Sequence, residues 1–189
     1  ERCITSQTRA VVLVHLYGQI RDMDNWVELC ARHGIALLED CAQAHLAEWN
    51  GKVAGSFGRA GAYSFYPTKN LGAIGDGGAL VSSDAALMDR VEVLRNYGQS
   101  VRYEHPELGL NSRLDELQAA LLQVRLDWLD GFTRRRQEIA ADYRAGLENP
   151  LVRLLQAPGH SENHVYHLFV ITCEERERLS GFLEERGVA

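Results

Sequence analysis

Ala10-Val11-Val12-Leu13-Val14-His15 and Ile35-Ala36-Leu37-Leu38-Glu39-Asp40 decide the fold. The first is a continuous apolar, β-branched run rather than an alternating one, the pattern of a strand covered on both faces in an α/β sheet, and the second reads as a buried strand that finishes in the acidic pair Glu39-Asp40. Tyr17-Gly18 closes the first run. Asp22 or Asp24 is placed to cap a helix carrying Met23, Val27 and Cys30 on one face, and Gly34 suits the left-handed position just past its last turn. Strand, helix and strand over about thirty residues make a βαβ unit, so the two strands are predicted to be parallel with a right-handed crossover. Ligands of such sheets sit outside the carboxyl ends of the strands. Asp40 lies at such an end and is a site candidate, although an Asx turn or helix cap is the commoner role for an aspartate there. Gln43 and His45 follow in Cys41-Ala42-Gln43-Ala44-His45 and, from position alone, read as polar groups of a short turn.

A second stretch, Ser64-Phe65-Tyr66-Pro67-Thr68-Lys69-Asn70-Leu71-Gly72-Ala73-Ile74-Gly75-Asp76-Gly77-Gly78, places one lysine between structural punctuators. Gly61-Ala62-Tyr63-Ser64-Phe65 before it reads as a short buried strand, and strand character resumes at Ala79-Leu80-Val81-Ser82. Lys69 therefore belongs to a loop at a strand end. Burial there would depress its pKa and make its amine a nucleophile toward carbonyls, the property of a Schiff-base lysine. Taken alone, a lysine in a Gly-rich loop is more commonly a solvated surface residue.

The 189 residues are 46% hydrophobic and 24% charged, ordinary globular material with enough chain for a core. A formal net charge of -6 argues against nucleic acid or an anionic membrane as the main partner. Cys3, Cys30, Cys41 and Cys173 are too scattered for a zinc site or a disulfide framework, which fits a reducing, cytoplasmic setting. No apolar run is long enough to cross a bilayer. The chain opens at Glu1-Arg2-Cys3 and stops at Arg186-Gly187-Val188-Ala189, and is expected to be a fragment truncated at both ends.

Glycines at 51, 55, 58 and 61 predict turns and a small hairpin ahead of the lysine loop. Asp84 is expected to cap a helix with Leu87, Met88, Val91 and Leu94 facing inward, and residues 96–109 to form a long loop. Ser112-x-x-Asp115 is read as the start of an amphipathic helix bearing Leu114, Leu117, Leu121, Val124 and Trp128, with Trp128 in the core. A separate arginine-rich helix is expected over 134–147, its basic run Arg134-Arg135-Arg136 a solvated face. Strands over 152–155 and 164–172 and a helix from about Glu174 follow. The expected organisation is α/β: a large domain (1–131) with a mostly parallel sheet flanked by helices, a linking helix (132–149), and the start of a smaller α+β domain (150–189).

Five motifs occur together, in order: Val14-His15-Leu16-Tyr17-Gly18, Glu39-Asp40-Cys41-Ala42-Gln43-Ala44-His45, Ser64 to Leu71, Gly75-Asp76-Gly77-Gly78, and Asn111-Ser112-Arg113-Leu114-Asp115-Glu116-Leu117-Gln118-Ala119-Ala120. In this order and spacing the chain resembles the DegT/DnrJ/EryC1/StrS sugar aminotransferases, pyridoxal-phosphate enzymes of the aspartate-aminotransferase fold. The resemblance implies a three-layer PLP-transferase large domain in which Lys69 carries pyridoxal 5'-phosphate in Schiff-base linkage and moves the proton. It implies Asp40 at the pyridine nitrogen, Gln43 at the 3-oxygen, Ser64 at the phosphate and Asn111 at the phosphate of the neighbouring subunit of a homodimer. The implied reaction moves an amino group from an amino acid, glutamate being expected, to a nucleotide-linked keto-sugar. The Asn-Ser-Arg-Leu-Asp form of the last motif looks most like members acting on dTDP-linked 3-keto or 4-keto deoxysugars. A sugar dehydratase of the same family, which replaces the lysine by histidine, and a non-catalytic regulatory member are the alternatives. Cys41 and Leu46 stand where the family usually has alanine and glycine. The family's amino-terminal Gly-Thr phosphate loop and ring-stacking aromatic are not among these residues.

Overall fold

A computed structural model describes residues 1–188. The predicted βαβ unit is present: β1 (Ala10–Val14), α1 (Met23–His33) and β2 (Ala36–Asp40), with β1 and β2 parallel and Val14 opposite Asp40. A hairpin, β3 (Glu48–Trp49) and β4 (Lys52–Val53), precedes β5 (Ala60–Ser64), which runs parallel to β2 with Ala62 opposite Asp40. β6 (Gly78–Val81) returns antiparallel, pairing Ser64 with Gly78, so the sheet order is β1-β2-β5-β6. The carboxyl ends of β1, β2 and β5 thus lie side by side, and the lysine loop hangs between β5 and β6.

α1 ends as expected, with Gly34 at φ 61° in the left-handed region where a side chain would be strained. Its start differs. Neither aspartate caps it: Asp22 is itself left-handed without a side-chain cap, and the Asp24 carboxylate accepts bonds from Trp49 Nε1 (2.9 Å) and Asn50 Nδ2 (3.0 Å). Met23 and Cys30 face the core as expected, joined by Trp26 rather than by Val27, which is exposed. Ile20, Met23, Cys41 and Val165 are wholly buried there, each worth about 1.5–3 kcal/mol for a large aliphatic or thioether side chain and less for the thiol.

Glu39 is the polar centre of this core. One oxygen accepts from the main-chain N–H groups of Phe57 and Gly58 (2.8 and 2.7 Å), the other from Gly55 N–H (2.7 Å) and His15 Nε2 (3.0 Å). Burial opposes its charge, but these donors outweigh that and hold the carboxyl below the usual range. Donor atoms of His15, Glu39 and Cys41 lie within 4.8 Å of one another. Both carboxylate oxygens are already occupied, so the cluster is a lock that ties the 55–58 turn to β2 rather than a cation site. Glu39→Ala strands buried His15 and three main-chain N–H groups, one buried and two part-buried, and is expected to lower stability by about 3–5 kcal/mol, measured by urea unfolding.

Asp84 caps α2 (Ala85–Arg95) through Leu87 N–H at 3.0 Å, as expected, and Leu87, Met88, Val91 and Leu94 are half-buried. Beyond it the expectations need correction. The two anticipated helices are one, α3 (Glu116–Gly146), continuous through 131 and 132, with Asp115 rather than Ser112 as N-cap. Its buried stripe is Leu122, Leu129, Thr133 and Ala140, whereas Leu117, Val124 and Trp128 are exposed. After it come β7 (Val152–Leu154), β8 (Ile171–Cys173), antiparallel to β7, and α4 (Arg176–Glu184). Residues 164–170 are not a strand. Tyr166 has φ 46°, which breaks extension, and Val165 N–H bonds Gly18 O, drawing the segment against the first sheet.

Candidate active site

The β2 carboxyl end turns sharply at Asp40, whose Oδ1 accepts from Ala42 N–H at 3.0 Å in an Asx turn. The turn reading of Asp40 is therefore observed: one oxygen shapes the turn, while the other, on a half-buried residue, has no partner among the described residues. Three residues on, Gln43 Oε1 accepts from Tyr17 N–H at 2.6 Å. That contact orients the amide: an N–H can only face the oxygen, so Nε2 is turned away as a donor. Tyr17 itself has φ 62°, and a Cβ at Gly18 would sit 2.7 Å from Gln43 O, so the Tyr17-Gly18 turn is built to approach this segment closely.

Ser64 closes β5. Its Oγ accepts from Tyr66 N–H at 3.2 Å, which leaves the hydroxyl proton to donate elsewhere. The loop then folds back on itself through Lys69 N–H to Tyr66 O (2.9 Å), Ala73 N–H to Phe65 O (2.7 Å) and Phe65 N–H to Gly77 O (2.7 Å). Gly72 is required by this fold-back, since a Cβ there would collide with the Pro67 carbonyl. Lys69 is half-buried, and its amine makes no ion pair or hydrogen bond among the described residues. Asn70 beside it is buried and anchors the loop from outside, donating to Val165 O (3.1 Å) and meeting His167 Nδ1 (3.2 Å).

Asp40, Gln43, Ser64 and Lys69 thus come to one edge of the sheet. Asn111 does not join them within this chain. It lies five residues before the first turn of α3, paired with Asn96 at the end of α2. The expected helix-start position is therefore wrong: Leu110 N–H and Ser112 N–H are taken by Leu94 O and Arg95 O, so this segment cannot turn into helix.

His45, read from the sequence as a polar group of a short turn, is buried instead. Its ring is 4% exposed, packs 5.2 Å from Tyr63 and 6.0 Å from Phe65, and neither nitrogen has a hydrogen-bond partner. Burial pushes it down to about 4, helped by the charges of His167 and Lys69; the Ser64 carbonyl faces the ring and opposes this without reaching bonding geometry. His164, 6% exposed, is likewise pushed down to about 4, first by burial and then by Arg144, against Gly18 O. Both rings fold neutral, and an unfolded histidine titrates near 6.5. Between these values the unfolded chain binds more protons, so stability falls as pH drops from about 6.5 toward 4. His45→Phe and His164→Phe are each expected to flatten the fall by about 1–3 kcal/mol, measured as urea midpoints at pH 7.5 and pH 5.

The cavity lined by Pro150, Leu151, Arg153, Thr172, Cys173, Glu174 and Glu175, about 280 Å³, includes none of these residues. The candidate edge is open. Its free groups are one carboxylate oxygen, one amide donor, one hydroxyl donor and one amine. That set suits a ligand with a cationic ring N–H, an anionic oxygen, a phosphate and a carbonyl.

All of residues 1–189 match the model of the DegT/DnrJ/EryC1/StrS aminotransferase family. The chain belongs to that family. It is 46% identical over 188 residues to dTDP-3-amino-3,4,6-trideoxy-alpha-D-glucose transaminase of Streptomyces venezuelae, covering all of this chain and 50% of that protein. It is 48% identical over 188 residues to dTDP-3-amino-3,6-dideoxy-alpha-D-galactopyranose transaminase of Aneurinibacillus thermoaerophilus (100% and 52%), and 44% identical over 191 residues to a pleiotropic regulatory protein of Geobacillus stearothermophilus (100% and 51%). The crystal structure of S. venezuelae DesV in complex with a ketimine intermediate superposes with a TM-score of 0.94 at 46% identity, over all of this chain and 51% of that one. The chain therefore spans about half the length of the relatives it matches. Leu46 has φ 68°, a conformation that costs a leucine roughly 1–2 kcal/mol and a glycine nothing. Leu46 packs against both core clusters, which offsets that strain.

Proposed function

We propose that this chain is the cofactor-binding core of a longer, pyridoxal-phosphate-dependent aminotransferase that moves an amino group from glutamate to a dTDP-linked keto-deoxysugar. The observation that carries this reading is the row of half-used polar groups at one sheet edge: Asp40, Gln43 and Ser64 each have one function held by the main chain and one left free. The residues fit pyridoxal phosphate, which when bound supplies an aldehyde and an electron-withdrawing ring. Lys69 would hold it covalently, and its amine, when free, would carry the proton to and from the substrate carbon. The free oxygen of Asp40 would keep the ring nitrogen protonated, the Gln43 amide would serve the ring oxygen, and the Ser64 hydroxyl would bind the phosphate. The names of the two transaminase relatives support a dTDP-linked sugar bearing its keto group at C3. None of the helices in the described residues is long and apolar enough to cross a membrane, in keeping with a cytoplasmic enzyme.

The likeness to a pleiotropic regulatory protein favours a second, regulatory reading. A purely regulatory fold has no use for an unpaired amine and a free carboxylate oxygen at the ends of neighbouring strands, which supports the catalytic one. Purified protein from the complete reading frame should carry a visible cofactor band that glutamate bleaches with release of 2-oxoglutarate. A band unchanged by any amino donor would overturn the transaminase reading.

Asn111 completes the site in a homodimer by donating to the phosphate held by the neighbouring subunit. Lys69→Ala and Asn111→Ala proteins, each impaired, are expected to regain activity when mixed under conditions of subunit exchange, since one site of the heterodimer carries neither lesion. Exchange without recovery would show that Asn111 serves its own subunit.

A further inference from the structure

We infer that Arg113 and Tyr97 are positioning residues that hold the Asn111 amide with its nitrogen outward, ready to donate to an anion. The inference rests on the reading of Asn111 as a phosphate donor and says how the fold prepares it. Arg113 Nε donates to Asn111 Oδ1 at 2.9 Å. A guanidinium has donors only, so the amide atom facing it must be the oxygen, and the opposite orientation would set two donors against each other. Nδ2 is thereby directed away and has no acceptor among the described residues. Arg113 is itself held: a second nitrogen donates to Tyr97 Oη at 3.3 Å, and the guanidinium carbon lies 5.4 Å from the Tyr97 ring centre.

Tyr97 is fixed in turn by the backbone. It has φ 62°, an uncommon conformation for an aromatic residue, and is kept there by Tyr97 N–H to Leu110 O (2.9 Å) and His105 Nδ1 to Tyr97 O (3.0 Å). Arg95 Nε to Ser112 O (3.1 Å) and the Asn96–Asn111 pairing lock the same two segments together. A chain of contacts therefore runs from the end of α2 through Tyr97 and Arg113 to one amide. An asparagine merely shaping a turn would bond its own main chain; this one spends its acceptor on a side chain that fixes which face donates.

The test compares pyridoxal phosphate with pyridoxal, which lacks the phosphate, by titrating apo-protein made from the complete reading frame. Asn111→Ala should weaken pyridoxal phosphate by about tenfold to a hundredfold and leave pyridoxal unchanged. Arg113→Met should give a loss of the same kind, about tenfold, because the freed amide can present its oxygen to the anion. Tyr97→Phe, which removes only the hydroxyl, should lose about twofold. The Arg113→Met/Asn111→Ala double variant should bind as Asn111→Ala does, since Arg113 acts through Asn111. Additive losses would mean that Arg113 meets the phosphate itself, and unchanged selectivity in both Arg113→Met and Tyr97→Phe would remove any role; either overturns the inference. If Asn111→Ala alone leaves the selectivity unchanged, the phosphate-donor reading fails and takes the positioning role with it.

Discussion

Lys69→Ala, in the protein made from its complete reading frame, is expected to abolish covalent cofactor attachment and to lower turnover by at least a hundredfold to ten-thousandfold, about the loss that follows removal of a positioned proton carrier. Covalent attachment adds to that figure rather than replacing it. The fold should survive. The Lys69 side chain has no ion pair or hydrogen bond among the described residues, and the loop is held by its main chain and by Asn70, so stability should change by no more than about 0.5 kcal/mol. A loss of structure comparable to the loss of activity, seen by circular dichroism and urea unfolding, would mean that Lys69 serves packing.

Asp40→Asn is the second large effect and separates charge from shape. The carboxamide oxygen can still accept from Ala42 N–H, so the turn that ends β2 is kept. What changes is the free atom, from an acceptor that stabilises a protonated ring nitrogen to an NH2 donor that opposes it. Turnover should fall by about a hundredfold to a thousandfold, the scale for removing one electrostatic partner of the reacting system, with a much smaller loss of cofactor affinity. Wild-type turnover in this variant would return Asp40 to a purely local role.

Much of this was legible in the sequence, for identifiable reasons. Ala10–Val14 and Ala36–Leu38 are apolar runs that mark two strands, and Gly34 marks the end of the helix between them; the expected cover on both faces is not met by β1, whose Val12 and Val14 are exposed. The polar groups at the sheet edge could be nominated because a parallel strand end is where a ligand sits. The long helix misled on its face. Two apolar stripes run along α3, one through Leu122, Leu129 and Ala140 and one through Leu117, Val124 and Trp128, and periodicity identifies both without saying which one meets the rest of the chain. Ser112-x-x-Asp115 has the composition of a capping box, but the end of α2 had already claimed the main chain at 110 and 112, a long-range pairing that no local pattern records. His45 was equally out of reach, since its isolation comes from Tyr63 and Phe65 closing over it from a different strand. The half-used state of Gln43 and Ser64 likewise depends on which main-chain N–H reaches them.

Reduction of the purified holoprotein with borohydride, followed by peptide mapping, tests the central claim most directly. The account predicts a single pyridoxyl group on Lys69, within the peptide that also contains Ser64, and its disappearance in Lys69→Ala. Labelling of Lys52, the other lysine of this chain, or no label on either, would contradict it.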